Sequence, residues 1–166
     1  MTKFPIREVA RVVVLDQIGN VLLVRYQDDE PLDPEREGPL SYWVPPGGAL
    51  EPGESYRSAA QRELEEESGL LPEIGSEIWE VEHRLRLKGQ LVNQRERYFI
   101  GRVDAVRPTV ANRAADAILE HRWWTLTELQ ESSEQFFPRG FINLVEPIVG
   151  GAIPSQRQSL INRHGV

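Results

Sequence analysis

Apolar residues recur along this chain in two rhythms, and the changes of rhythm mark out its elements. From Val9 to Leu15 a run rich in β-branched residues predicts a strand. Asp16-Gln17-Ile18-Gly19-Asn20 supplies turn chemistry and Val21 to Tyr26 resumes the apolar run, so a hairpin is expected. Gln27 to Leu40 breaks the pattern. Its three prolines and its six acidic residues against one arginine read as a long surface loop. Ser41 to Val44 is a short strand running into Pro45-Pro46-Gly47-Gly48. Ser55 is placed to cap a helix that continues to about Ser68, with Gly69 as its stop. From Ile78 to Leu87 alternation is strict: Trp79, Val81, His83, Leu85 and Leu87 face one way, Glu80, Glu82, Arg84 and Arg86 the other. Lys88-Gly89-Gln90 turns the chain and Leu91 to Val103 returns. Residues 104 to 117 read as irregular, Leu119 to Trp124 as a strand, Thr127 as the start of a helical turn, and Phe141 to Val149 as an amphipathic helix. The expectation is an α/β class with one domain over residues 1–150 and a polar tail over 151–166.

Composition narrows the functional classes. With 166 residues, 40% hydrophobic and 27% charged, the chain has the means to bury a core and is not of the disordered type. No apolar run is long enough to span a bilayer, and no basic segment precedes an apolar one at the start, so neither a membrane span nor a secretion signal is expected. Cysteine is absent, which excludes disulfides, Cys-ligated zinc and a thiol nucleophile. These features together suggest a cytoplasmic protein. The formal net charge of −7 argues against binding duplex nucleic acid, for which a basic face supplies most of the affinity. A phosphate-bearing substrate would need a bound divalent cation to invert the local field.

The chemistry concentrates in the helix after Ser55. At about 100° per residue, Glu63, Glu66 and Glu67 share one arc of roughly 100°, Glu65 falls nearly opposite, and Ala60 and Leu64 lie beside the arc to anchor the helix on a sheet. Like charges at this spacing repel, and Arg62 alone does not neutralise them. Oxygen-rich clusters of this kind suit Mg²⁺, with Mn²⁺ an alternative. Taken alone, three glutamates read as a solvated acidic face. The flanking pattern changes that reading. Pro45-Pro46-Gly47-Gly48 makes a side-chain-poor approach whose backbone N–H groups can meet phosphate oxygens, and a Glu54–Arg62 pair can hold the preceding loop to the helix.

This segment resembles the Nudix box: Gly, five residues, Glu, seven residues, Arg-Glu-aliphatic, any residue, Glu-Glu, any residue, Gly-aliphatic. Gly48, Glu54, Arg62, Glu63, Leu64, Glu66, Glu67, Gly69 and Leu70 fill every fixed position. Arg11 to Arg25 is similar to the family's first hairpin, Trp43 to Gly48 to its approach to the box, and Glu120 to Leu129 to its late strand and helix. The resemblance implies an α/β/α sandwich around a central mixed β-sheet and hydrolysis of a nucleoside diphosphate linked to another moiety. It implies Glu63, Glu66 and Glu67 as ligands of the divalent metal, Glu54 and Arg62 as structural members of the motif, and Gly47 and Gly48 as the substrate-facing backbone. For the general base it leaves Glu67 or Glu63 within the box, and Glu120 or Asp116 outside it. Glu120 reads equally well as half of a surface ion pair.

Other residues are weighed against plainer roles. Arg84, Arg86, Arg95 and Arg97 could bind phosphate but lie in a hairpin with Glu80, Glu82 and Glu96, where cross-strand ion pairs are the simpler expectation. Trp43, Tyr98 and Trp124 could stack a base, yet strand aromatics are usually core, and His83 is expected to be core as well. Substrate-specific signatures of the family are missing. Leu85 stands where ADP-ribose hydrolases carry proline, Leu87 and Lys88 where dinucleoside polyphosphate hydrolases carry tyrosine, and Ala49 where the nucleotide-sanitising type carries lysine. Three readings follow: a pyrophosphohydrolase of nucleotides or their conjugates, an RNA 5′-end pyrophosphohydrolase, and an inactive nucleotide-binding or regulatory module. A homodimer is expected only by family analogy.

Overall fold

The structure, a computed structural model, describes residues 4–27, 41–111 and 118–160. The acidic loop beyond Gln27, the candidate Asp116 and the last six residues of the tail lie outside the described residues. In chain order the elements are β1 (Ile6–Leu15), β2 (Val21–Gln27), β3 (Ser41–Val44), β4 (Gly47–Ala49), α1 (Tyr56–Ser68), β5 (Glu73–Leu87) and β6 (Gln90–Arg102). β7 (Ile118–Trp124), α2 (Leu126–Glu131), α3 (Phe141–Val149) and β8 (Gln158–Ser159) complete them.

Local chemistry explains the turns. Between β1 and β2 the Asp16 carboxylate accepts the N–H groups of Ile18 at 3.0 Å and Asn20 at 2.8 Å, while Gly19 takes a φ of 87°. Between β5 and β6, Lys88 and Gly89 both have positive φ, the conformation a two-residue hairpin requires. Helix α1 opens on Ser55, whose side chain accepts the Ser58 N–H, and closes on Gly69 in the left-handed conformation.

The eight strands form one mixed sheet. β1 runs parallel to β6 along its whole length and antiparallel to β2 only at Val14–Leu22 and Leu15–Val21. Beyond that point β1 and β2 part like a wedge, and residues 41–49 fill the gap. β3 pairs with the outer half of β2, Pro45 and Pro46 turn the corner, and β4 pairs with Val9, Ala10 and Arg11 of β1. On one face α1 packs Ala59, Ala60 and Leu64 on Ala10, Val12, Val14, Leu22 and Phe99. On the other, α2 and α3 bring Leu129, Phe141, Val145 and Ile148 onto Val13, Leu23, Trp43, Trp79, Tyr98 and Trp124. Helices thus cover both faces, as the sandwich expectation required.

Several boundaries differ from expectation. β1 begins at Ile6 and β5 at Glu73, because main-chain pairing with β6 continues past the last apolar alternation. α2 begins at Leu126, since Thr125, not Thr127, makes the cap with a reciprocal Glu128 bond. The polar tail is partly docked: Gln158 and Ser159 lie parallel to Trp79 and Glu80 of β5, and Leu160 is buried in the α3-side core. Trp43, Tyr98 and Trp124 are core residues, 2%, 0% and 2% exposed. Arg95 makes an expected cross-strand pair, with Glu82 at 3.4 Å, whereas Arg97 pairs with Glu77 at 3.5 Å. Among the described residues no helix is long and apolar enough to cross a membrane.

Candidate active site

The wedge between β1 and β2 positions the carboxylates. The last turn of α1 points into it and buries Glu67. Its Oε1 accepts the Tyr26 hydroxyl at 3.1 Å and its Oε2 faces the Gly47 N–H at 3.4 Å, so β2, β4 and α1 meet at one side chain. The His121 ring of β7 lies against the Glu67 main chain, which adds a fourth element. Burial pushes the Glu67 carboxyl up to about 8 against the pull of Arg11, and the negative charge of Glu63 adds to the rise.

Glu63, one turn earlier, is also partly withdrawn from water, and burial raises its carboxyl too. It rests on the backbone of Gly48, where a Cβ would fall within 2.6 Å of all three carboxyl atoms. Glu66 stands at the rim with its side chain 56% exposed. Arg62 organises the group. It donates two bonds of 2.8 Å to Glu54, one of 3.1 Å to the Ala49 carbonyl, and one each to Glu63 and Glu66 at 3.0 and 3.1 Å. Hydrogen bonds from Arg62 hold the Glu54 carboxyl down at about 2. The expected Glu54–Arg62 clamp therefore exists and ties the loop before α1 to the helix. Arg62 is spent on Glu54, Glu63 and Glu66, and among the described residues Arg11 acts on Glu67 without a bond to it.

Glu120 makes its ion pair away from this cluster. Its carboxylate pairs with Arg25 at 2.9 Å, and the Arg25 guanidinium lies over the ring of Trp43 on the α3 side. Successive strand residues point to opposite faces, so while His121 turns toward Glu67, Glu120 turns away. The ion pair that the plainer reading of Glu120 expected is present.

Sequence reading missed the residues that the wedge supplies: Tyr26, His121 and above all Arg11. Arg11 donates to Glu96 at 2.6 Å and to the Pro45 carbonyl at 3.1 Å, holding the corner ahead of Gly47. Glu96 is fully buried and also accepts His83, Gln94 and Tyr98 at 2.7, 2.8 and 2.7 Å. The signal for Arg11 was a lone charge in a β-branched strand. Tyr26 and His121 had none.

The donor set fits a hard divalent cation. Glu67 is a buried carboxylate that a nearby positive charge would ionise, Glu63 is its repelling neighbour, and Glu66 adds oxygens at the rim. Among the described residues no three such groups converge into a ready-made cage.

The two glycines make separable predictions. A Cβ at Gly47 would collide with the Ala10 carbonyl and lie 2.6 Å from Arg11 Cγ, so Gly47→Ala is expected to part β4 from β1 and cost about 1–3 kcal/mol or more of stability. At Gly48 the nearest atoms to an added Cβ are the carboxyl end of Glu63, so Gly48→Ala is expected to leave the melting temperature nearly unchanged while displacing that carboxylate. Thermal melts beside turnover assays distinguish the two outcomes.

An acidic helix thus lies closed by an Arg–Glu clamp over a Gly-Gly strand. This chain belongs to the Nudix family: the NUDIX domain model matches residues 5–145. It is 28% identical over 142 residues to an RNA pyrophosphohydrolase of Roseobacter denitrificans, covering 78% of this chain and 88% of that one. Among solved structures it is similar to the MutT protein of Methanosarcina mazei Go1, with 20% identity, a TM-score of 0.65, and coverage of 91% and 98%. It is also similar to the NUDIX domain of Shewanella oneidensis NrtR complexed with ADP ribose, with 16% identity, a TM-score of 0.63, and coverage of 90% of each chain. The family supports a general pyrophosphohydrolase activity.

Proposed function

We propose that this protein hydrolyses the diphosphate linkage of a nucleoside diphosphate joined to another moiety, with Mg²⁺ or Mn²⁺ held by Glu63, Glu66 and Glu67. The observation that carries the reading is Glu67, a buried carboxylate at the meeting of α1, β2 and β4 with no cation among the described residues bonded to it. A divalent ion there supplies charge neutralisation for the phosphoryl oxygens and activation of water. The chain's own part is positional. Arg62 and Glu54 hold the loop, Gly47 and Gly48 let the substrate approach backbone closely, and the Tyr26 hydroxyl fixes the rotamer of Glu67. Glu67 and Glu63 are the base candidates, because among the described carboxylates they combine burial with a raised proton affinity.

Phosphate release from a panel of nucleotides and conjugates tests this reading, with Mg²⁺ and Mn²⁺ as separate arms. Silence across the panel from folded protein would favour the inactive nucleotide-binding or regulatory module. A second reading, removal of pyrophosphate from RNA 5′ ends, draws on the similarity to the Roseobacter relative, and a short 5′-triphosphorylated RNA in the same panel decides it.

The raised carboxyl of Glu67 carries a stability signature. Its folded pKa of about 8 lies above the unfolded value near 4.3, so its contribution is present in full below about pH 4 and is lost as pH rises through 8. Metal-free protein is therefore expected to melt at falling temperature between pH 5 and 9. Mg²⁺ should restore the loss most at the alkaline end, and Glu67→Gln should flatten the profile.

A further inference from the structure

β1 carries a second arginine on the side that bears Arg11. Arg7 and Arg11 are four residues apart on one strand and so share a face, about 13 Å apart along the backbone. The two are placed differently. Arg11 is committed to Glu96 and Pro45, beside its register partner Gly47. Arg7, half-buried, donates at 2.6 Å to the neutral amide of Gln94, and among the described residues it has no carboxylate partner.

Among the described residues, the groups that act most on Arg7 are Arg11, Glu96, Tyr26 and Tyr42. Of these only Glu96 is a carboxylate, and it is bonded to Arg11, while burial keeps the Tyr26 hydroxyl protonated. Among the described residues Arg7 thus has no bonded counter-ion, inside an acidic chain of net charge −7. A withdrawn cation without a counter-ion is costly, and guanidinium recognises phosphate oxygens better than any other side chain does. Tyr26 links this spot to the acidic helix: its hydroxyl bonds Glu67, and its ring stacks on Tyr42 at 6.0 Å.

We infer that Arg7 is an anion subsite that takes a phosphate group lying beyond the diphosphate to be cleaved. Its position relative to that diphosphate rests on the proposed function; its affinity for phosphate does not. The phosphate is either the third of a polyphosphate chain or the first phosphodiester of an RNA end, and the two sources present the same chemistry to Arg7.

The first arm of the test needs no turnover. Inorganic phosphate is titrated into metal-free protein and followed by calorimetry. Wild type is expected to bind it, Arg7→Gln and Arg7→Met to bind at least tenfold more weakly, and Arg7→Lys to stay within about threefold. Arg7→Met offers an apolar stem suited to the half-buried position should Arg7→Gln not fold. Equal binding by wild type and both uncharged variants, or no binding by wild type, overturns the subsite. The second arm compares kcat/KM for a nucleoside triphosphate and a 5′-triphosphorylated dinucleotide with that for a nucleoside diphosphate joined to a neutral sugar. Loss of charge at Arg7 is expected to lower one or both of the longer substrates about tenfold more than the sugar conjugate, mainly through KM, and the substrate affected identifies the source. A uniform loss overturns the assignment. Phosphate binding that depends on Arg7 in a protein that hydrolyses nothing would sink the proposed function and leave the subsite standing.

Discussion

Replacing Glu67 with glutamine is expected to lower kcat by about 10²–10⁴-fold, the range a positioned general base contributes. The substitution keeps the side chain's shape and its two neighbours: an amide oxygen still accepts the Tyr26 hydroxyl or faces the Gly47 N–H. It removes the negative charge that would draw a cation to the apex of the wedge. Stability should rise slightly at alkaline pH in the absence of metal, since an amide is not penalised by burial as a carboxylate is. Lower turnover together with a maintained or higher melting temperature is the combination to look for. Turnover that survives the change would mean that the catalytic cation belongs elsewhere.

The largest expected effect on stability lies one layer deeper. Glu96→Gln is expected to destabilise the fold by about 3–5 kcal/mol, because it leaves the buried Arg11 without its counter-charge. Burial raises the cost of ionising Glu96, but Arg11 and the His83 and Tyr98 hydrogen bonds overcome it and hold the carboxyl well below the usual range. Its contribution is therefore present above about pH 4 and lost as pH falls further. The denaturant midpoint of Glu96→Gln reads the cost directly. An Arg11→Met/Glu96→Leu double variant should recover most of it, since a well-packed apolar pair removes the stranded charge. That double variant should still lose activity, because Arg11 also holds the Pro45 carbonyl ahead of Gly47.

How much of this was legible follows from which interactions are local. The capped helix was readable because Ser55, Gly69 and the 3.6-residue arc of Glu63, Glu66 and Glu67 all act within a few turns. The Glu54–Arg62 clamp was readable for the same reason, with a spacing of eight residues. Arg11, Tyr26, Glu96 and His121 reach the site through strand pairings that join residues tens of positions apart, and no single window of sequence holds that register. Glu120 shows the limit most clearly. Its distance from Trp123 suggested a role, but only the pairing of Arg25 with Glu120 shows which face of the sheet it occupies. Strand ends at Ile6 and Glu73 were set by backbone bonding that side-chain alternation does not report.

The distribution of tryptophan has an optical consequence. Of the four indoles, Trp43, Trp79 and Trp124 are buried in the core under α3, with Trp43 and Trp124 in edge contact at 5.1 Å, whereas only Trp123 lies on the α1 side. Intrinsic emission and near-ultraviolet dichroism are thus dominated by the half of the molecule away from the acidic helix. A substitution at Glu63, Glu66 or Glu67 that leaves the spectrum unaltered has spared the core, so the protein carries its own internal standard for telling lost chemistry from lost structure.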